Sequence, residues 1–277
     1  MPQDNDSLKT LGTQLLDRAV AIMKLLGDAG EKGLRAVELG ERLELSSTTA
    51  HRIVTALERH GLVEREKATR RYRLGLSLFA LGAKAADGTG LRRFCRPALV
   101  RIASETGDTV FLMARSGFNV VCVDRVEGTY MLDSLTGHIG GQIPLGVGSA
   151  SQAVLAFLAP EEAEAIIVAN ETRYPGFNGL TAAEIRAELP QIRKRGYALD
   201  QGHLVAGISA IALPIAPKGR DVVAAFAVNM MSTRLPDERV PQIVERLRAE
   251  IAAVPDQLNP LGFTASQPAL LSNAFDR

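Results

Sequence analysis

Three features of the sequence predict an α+β protein of two domains. Residues 46–59 carry apolar side chains at helical period, and a glycine and a short basic hairpin follow. From Asp108 onward, short apolar segments bounded by turns alternate with segments of helical period. The chain has 277 residues, long for one core and suited to two. The expectation is a small helical domain with a two-stranded wing, a winged helix-turn-helix, over residues 11–75. A helical connector follows over residues 76–106. An antiparallel sheet with helices occupies residues 107–258, and residues 259–277 form a loose tail.

Residues 1–10 are polar and acidic, unlike a secretory signal, and are expected to be disordered. Leu15, Leu16, Ala19, Val20, Met23 and Leu26 recur at helical spacing and predict a first helix to about Asp28. The turn Gly30-Glu31-Lys32-Gly33 ends it. Val37, Leu39, Gly40 and Leu43 predict a second, shorter helix. For the third, Ser46 or Ser47 supplies a side-chain oxygen to the free N–H groups of the first turn. Ala50, Ile53, Val54 and Leu57 form its apolar face, and Gly61 stops it in the left-handed conformation. Residues 62–65 and 71–74 then read as strands joined by the polar turn 66–70.

Residues 76–86 are small and apolar and predict a helix, broken by Asp87-Gly88-Thr89-Gly90 and resumed over residues 91–106. The domain boundary is placed near Gly88. Residues 109–114 and 120–126 read as paired strands about the turn 115–118, with a third strand over residues 131–135. A glycine-rich loop follows over residues 140–148, then a helix over 149–158, and Pro160 opens another. Thr181 caps a helix to about residue 195, with Glu184 three positions on completing a capping box. Residues 197–199, 209–215 and 222–230 read as strands. Val240, Ile243, Val244, Leu247, Ile251 and Val254 make the buried stripe of a closing helix.

Composition narrows the function classes. Hydrophobic residues at 46% and charged residues at 23% are ordinary globular values. A net charge of +1 excludes a general polycation, so a nucleic-acid site must be local. It is local here: residues 46–73 hold seven Lys or Arg against three Glu. Cys95 and Cys122 lack metal-ligand spacing and read as buried thiols of a reducing cytoplasm. No apolar run reaches the ~20 residues that span a bilayer, so no membrane partner is expected. The longest, residues 205–216, is interrupted by Gly207, Ser209 and Pro214 and reads as a buried strand.

The outer face of the third helix carries Ser47, Thr48, Thr49, His51, Arg52, Thr55 and Arg59, short hydroxyls near its start and cations beyond. Such side chains contact phosphates and base edges in a DNA groove. Lys67, Arg70 and Arg71 extend the basic surface onto the wing. A polar outer face alone is as often a solvated surface, and His51 reads either way. The concentration of basic charge favours double-stranded DNA. Arg92, Arg93 and Arg96 read as a solvated face, with a dimer or phosphate contact as the alternative.

Gly146, Gly148 and Ser149 stand in GVGSAS, which matches neither a dinucleotide fingerprint nor a nucleophile elbow. Glycines making a tight turn explain it. The helix start after it is nevertheless an anion site, because free N–H groups point outward there. His51, His60, His138 and His203 are scattered without acid or Cys neighbours at ligand spacing, so no metal or cofactor is expected.

The sequence resembles the IclR family of bacterial transcriptional regulators. The N-terminal likeness lies in LLDRAVAIMKLL, LGERLELSSTTAHRIVTALERHGLVER and RRYRLG. The C-terminal likeness lies in VCVDRVEG, IPLGVGSASQAVLAFL, RGYALDQGH and GISAIALPIAPKG. The resemblance spans about residues 15–254 in order. It implies a winged helix-turn-helix joined by a helix to a GAF-like effector domain. It also implies dimers, often paired into tetramers, that repress or activate transcription. The family's effector pocket corresponds to Leu132, Leu135, Ile143, Ser149, Ala150, Asp200, Ile208, Ala210, Ala227 and Asn229. Relatives that sense small oxo-acids have a cysteine at position 210 and serines at positions 227 and 229. One wall is therefore less polar here, and the expected effector is a small organic acid, aromatic acids included. Asp200 either accepts a bond from a ligand hydroxyl or amide, or holds the loop 201–206. The expected function is ligand-controlled, sequence-specific DNA binding. The alternatives are a small-molecule-binding enzyme with an accessory winged helix, and a winged-helix protein-interaction module.

Overall fold

The computed structural model describes residues 6–130, 138–216 and 222–254, the side chains of residues 6–12 and 86–89 excepted. The chain divides into two compact units, Met1–Ala85 and Ala86–Arg277. The expected strand at residues 131–135, with Leu132 and Leu135, and the expected tail lie outside the described residues.

The first unit contains helices α1 (Asp6–Ala29), α2 (Ala36–Arg42) and α3 (Ser47–Arg59), strands β1 (Val63–Arg65) and β2 (Tyr72–Leu74), and most of α4 (Leu76–Thr89). The start of α1 falls inside the stretch expected to be disordered, because Leu8 and Leu11 extend the helical period upstream. Ser46 caps α3: its Oγ accepts the Thr49 N–H at 3.2 Å. Ala50, Ile53, Val54 and Leu57 are buried. They pack with Ile22 and Leu26 of α1, Leu39 of α2, and Val63 and Tyr72 of the hairpin. Gly61 ends the helix at φ +66°, a conformation that costs glycine least. The hairpin is antiparallel, with Glu64 opposite Arg73. It is anchored to the turn after α1, where Leu34 and Tyr72 exchange two backbone hydrogen bonds at 2.8 and 3.0 Å.

The second unit is built on a sheet of six strands among the described residues, ordered β5-β4-β3-β8-β7-β6. These are β3 (Thr109–Ser116), β4 (Asn119–Val126), β5 (Gln142–Pro144), β6 (Ala198–Gln201), β7 (Ile208–Ile215) and β8 (Ala224–Met231), every neighbouring pair antiparallel. Helices α5 (Leu91–Thr106) and α9 (Arg239–Ala252) cover one face; α6 (Gly148–Ala156), α7 (Pro160–Asn170) and α8 (Ala182–Arg195) belong to the core on the other. Strand β3 shows how the layers form: Val110, Leu112 and Ala114 point to the α5 side, and Phe111 and Met113 to the α6 side. Both faces are covered, so the central strands β3, β7 and β8 read as largely apolar runs without polar alternation.

Several boundaries differ from the sequence reading. Helix α4 runs through Asp87 and Gly88 and stops at Gly90, which takes φ +67°. Neither Asp nor Gly forbids a helix; Gly costs only about 1 kcal/mol inside one. The region read wholly as a loop, residues 140–148, contains β5, with Ile143 paired to Val120. Three residues are too few to show alternation, and Pro144 is tolerated because the strand is an edge. The reading of 205–216 as strand shortens to β7. Helix α5, read as part of the connector, buries Leu91, Cys95, Ala98, Leu99, Ile102 and Ala103 against the sheet and belongs to the second unit.

Candidate nucleic-acid interface and ligand cavity

The outer face of α3 is open. Ser47, Thr48, His51, Arg52, Thr55 and Arg59 are exposed, and Thr49 is half-buried. Among the described residues, the side chains of Ser47, Thr48, Arg52, Arg59, Lys67 and Arg70 make no hydrogen bond or ion pair, so their polar groups are available. His51 and Thr55 lie one turn apart, Nδ1 to Oγ1 3.5 Å. The Thr49 hydroxyl is turned toward the cap, 2.8 Å from Ser46 Oγ. The wing tip, residues 66–71, is closed by a bond from Arg70 N–H to the Glu66 carbonyl at 2.9 Å. Arg70 sits there at φ +58°.

Arg71 is placed otherwise than its neighbours. Its Nη1 donates to the Gly33 carbonyl at 2.8 Å and pairs with the Glu38 carboxylate at 3.3 Å. Glu38 also accepts the Arg35 N–H at 2.6 Å. That backbone bond, with Arg71 beside it, holds the Glu38 carboxyl below its ordinary pKa. Arg71 therefore ties the wing to the start of α2.

In the second unit, a cavity of about 560 Å³, its open mouth included, lies between the sheet and the N-terminus of α6. That size is within the range of small-molecule sites. Its floor is Phe111 and Met113 of β3, Ile208 and Ala210 of β7, and Ala227 and Asn229 of β8. Ala210 stands opposite Asn229 in the β7–β8 register, and Asp200 of β6 stands opposite Ala210. Gly148, Ser149 and Ala150 of α6, Ile143 of β5, and Leu204 and Val205 form the other walls. Eight of the ten effector residues read from the sequence are thus brought together; Leu132 and Leu135 fall outside the described residues. The sequence reading missed Phe111, Met113, Leu204 and Val205. The strand alternation of Phe111 and Met113 was visible, but which face holds the cavity was not.

The chemistry of the cavity is divided. Helix α6 begins without a side-chain cap and without an acidic residue in its first turn. Its free N–H groups and the positive end of its dipole favour an anion at the Gly148–Ala150 wall. Buried hydrogen bonds hold that start in place. Ser151 Oγ accepts the Gly146 N–H at 3.0 Å, and Tyr174 Oη donates to the Leu145 carbonyl at 2.8 Å. Asn170 Nδ2 donates to the Phe118 carbonyl, also at 2.8 Å. Burial pushes the Tyr174 phenol up to about 12, so it stays a donor. Asp200 accepts the backbone N–H groups of His203 at 2.8 Å and Leu204 at 3.3 Å, which fixes the loop bearing Leu204 and Val205. On the floor, the Oδ1 of Asn229 is buried without a hydrogen-bond partner.

Arg92 and Arg96 are not merely a solvated face. Both pair with Asp124, which is fully buried, at 3.4 and 2.8 Å. Cys95 and Cys122 are buried free thiols, raised to about 12 and about 11 by desolvation. Among the described residues no group of His, Cys, Asp and Glu could hold a metal ion, and no helix is long and apolar enough to cross a membrane.

Comparison with known proteins identifies both units. Residues 15–67 match the IclR helix-turn-helix domain, and residues 83–255 match the C-terminal domain described as bacterial transcriptional regulator IclR. The chain is 29% identical over 212 residues to the HTH-type transcriptional regulator KipR of Bacillus subtilis, covering 76% of this chain and 84% of that one. It is 24% identical over 232 residues to the transcriptional repressor IclR of Escherichia coli, covering 83% and 84%. An IclR transcriptional regulator from Alicyclobacillus acidocaldarius superposes with a TM-score of 0.74 at 26% identity, covering 87% of this chain and 97% of that one. An IclR homologue from Microbacterium hydrocarbonoxydans, complexed with 4-hydroxybenzoate, has the same fold at 23% identity, with a TM-score of 0.72 and coverage of 87% and 97%. Both halves of the architecture are matched and the C-terminal match alone takes in more than half of the chain, so this protein belongs to the IclR family of bacterial transcriptional regulators.

Proposed function

We propose that this regulator binds an operator through α3 and the wing, and that a small organic acid in the α6 cavity controls that binding. The observation that carries the proposal is the uncapped start of α6 opening into an otherwise largely apolar cavity. A carboxylate meets free N–H groups and the Ser149 hydroxyl there, while Phe111, Met113, Ile143 and Ile208 cover its carbon skeleton. On the DNA side, Ser47, Thr48, His51 and Arg52 face the major groove, and Lys67 and Arg70 reach phosphates. Arg71 acts as a brace for the wing.

The cavity offers binding rather than catalysis. Of its polar side chains, Asp200 is occupied by two backbone N–H groups. No His, Lys or Cys lines it among the described residues to serve Ser149 as a base. The protein acts as a dimer in the cytoplasm. Leu15, Leu16 and Val20 of α1, and Leu76, Phe79 and Leu81 of α4, are exposed apolar side chains within the first unit, with Phe79 at 73%. A second copy covers them, and the small Ala80, Ala83 and Ala85 let helices approach closely.

The test is a thermal-shift screen of organic acids on the full chain, followed by Ser149→Leu, which fills the proposed anion site. A hit should lose its stabilising shift in the variant. A hit that binds Ser149→Leu with unchanged affinity rules out this site.

A further inference from the structure

The outer side of α5 forms a groove lined by Arg92, Arg93, Arg96, Pro97, Val100 and Arg101, with no acidic side chain among them. Pro97 is exposed and Val100 is 45% exposed, so the groove has an apolar middle between cationic ends. Positive charge is in excess at one end. Arg92 and Arg96 share the single carboxylate of Asp124. Arg93 lies 4.6 Å from the centre of the Phe94 ring and has no ion pair among the described residues. At the other end Arg101 is neutralised by Glu250 of α9.

Helix α9 brings its own continuation to this groove. Arg246 of α9 pairs with Glu105 of α5 at 2.8 Å. One turn further along α9, Glu250 pairs at 2.6 Å with Arg101, about one turn back along α5. The two helices therefore run antiparallel, and one more turn sets Val254 level with Pro97. Val254 packs against the cluster that holds Cys95 and Leu99, on the buried side of α5. Residues 255–263 follow as PDQLNPLGF, with Pro255 and Pro260 opposing a helix and Asp256 as the one charged residue. Fully extended, such a segment reaches about 30 Å, against about 14 Å for the helix from Arg92 to Arg101.

We infer that residues 255–263 dock in the α5 groove of their own chain, where Leu258, Leu261 and Phe263 cover Pro97 and Val100 and Asp256 faces Arg93 and Arg96. Removal of these apolar side chains from water drives the contact. Asp256, at an exposed rim, orients the segment more than it strengthens the contact. The segment is attached beside the groove, so docking closes only a short loop and costs little chain entropy. A separate protein offering similar side chains has to compete with that high local concentration.

The experiment is digestion of the full chain with chymotrypsin, followed by mass spectrometry, beside a synthetic peptide of residues 255–277. Cleavage after Leu258, Leu261 and Phe263 should be about tenfold or more slower in the full chain than in the peptide, because only the undocked fraction is cut. Cleavage after Leu271, outside the docked segment, is the reference within each sample. Val100→Glu and Arg93→Glu should each bring the slow sites to within about twofold of the peptide. Thermal melting checks that these variants fold, and Val100→Ser replaces either one that does not. Cleavage of the three sites at the peptide rate in the parent means the groove is open to some other partner and overturns the inference. Slow cleavage that persists in every folded variant places the segment elsewhere and overturns it too.

Discussion

Arg52 and Arg70 are both free cations on the DNA side, but they stand on different supports and should fail differently. Arg52 is on a rigid helix face beside hydroxyls, where a guanidinium can read a guanine. Arg52→Ala should cost about 1–3 kcal/mol on the operator and relax its specificity, measured by fluorescence anisotropy on operator and scrambled duplexes. Arg70→Ala should weaken both duplexes alike and lower the salt slope by about one. Equal binding of both variants and the parent would mean the face is misassigned. At this scale the sequence could show which residues are cationic, but not which are occupied. Arg71 looked like a third wing cation. Its partners Gly33 and Glu38 are more than thirty positions away, a tertiary pairing that no local pattern displays. The two thiols follow the same logic: with Cys95 raised to about 12 and Cys122 to about 11, neither should react with Ellman's reagent at pH 8 until the chain unfolds.

The elements depend on a few local decisions that can be tested one at a time. Ser46→Ala removes the cap of α3 and should destabilise the first unit by about 1 kcal/mol in urea unfolding. Gly33 is held at φ +55°, and a Cβ there would lie 2.5 Å from the Tyr72 carbonyl oxygen. Gly33→Ala should therefore cost more than the cap does and loosen the wing, seen as faster amide exchange at Leu34 and Tyr72. Helices α5 and α9 are joined by Glu250, whose carboxylate takes Arg101 at 2.6 Å and is held below its ordinary value by that bond. The carboxyl is depressed in the folded state. Its contribution is therefore present above the unfolded value of 4.5 and lost as pH falls through the folded one. Glu250→Gln should flatten the acid side of the stability profile in that window and change little at its alkaline side. Caps, periods and stops were legible because each is written within a few residues. Strand β5 was not, since three residues owe their strand character to β4 beside them. Nor was the α5 boundary, which depends on what the helix packs against.

The molecule as a whole combines a basic face too small for a tight site with a largely apolar cavity at the start of α6. One winged helix covers a half-site, so the exposed apolar side chains of α1 and α4 bear on specificity as well as assembly. A dimer should bind a near-palindrome with half-sites about 10 bp apart, or a multiple. Monomers in light scattering at micromolar concentration, with and without DNA, would contradict it. Fold class and family could be read in the sequence because the motifs of both units stand in order. The cavity's floor could not, because Phe111, Asp200, Ala210 and Asn229 come from four strands whose neighbours in the sheet are set by topology alone. Ligand control requires only that the acid bind the DNA-competent and incompetent states unequally. The most direct measurement is operator affinity of the full chain by anisotropy, with and without a saturating acid identified by thermal shift, in the parent and in Ser149→Leu. The account predicts a change of about fivefold or more in the parent and none in the variant. Unchanged affinity in the parent, or the same change in Ser149→Leu, would contradict it.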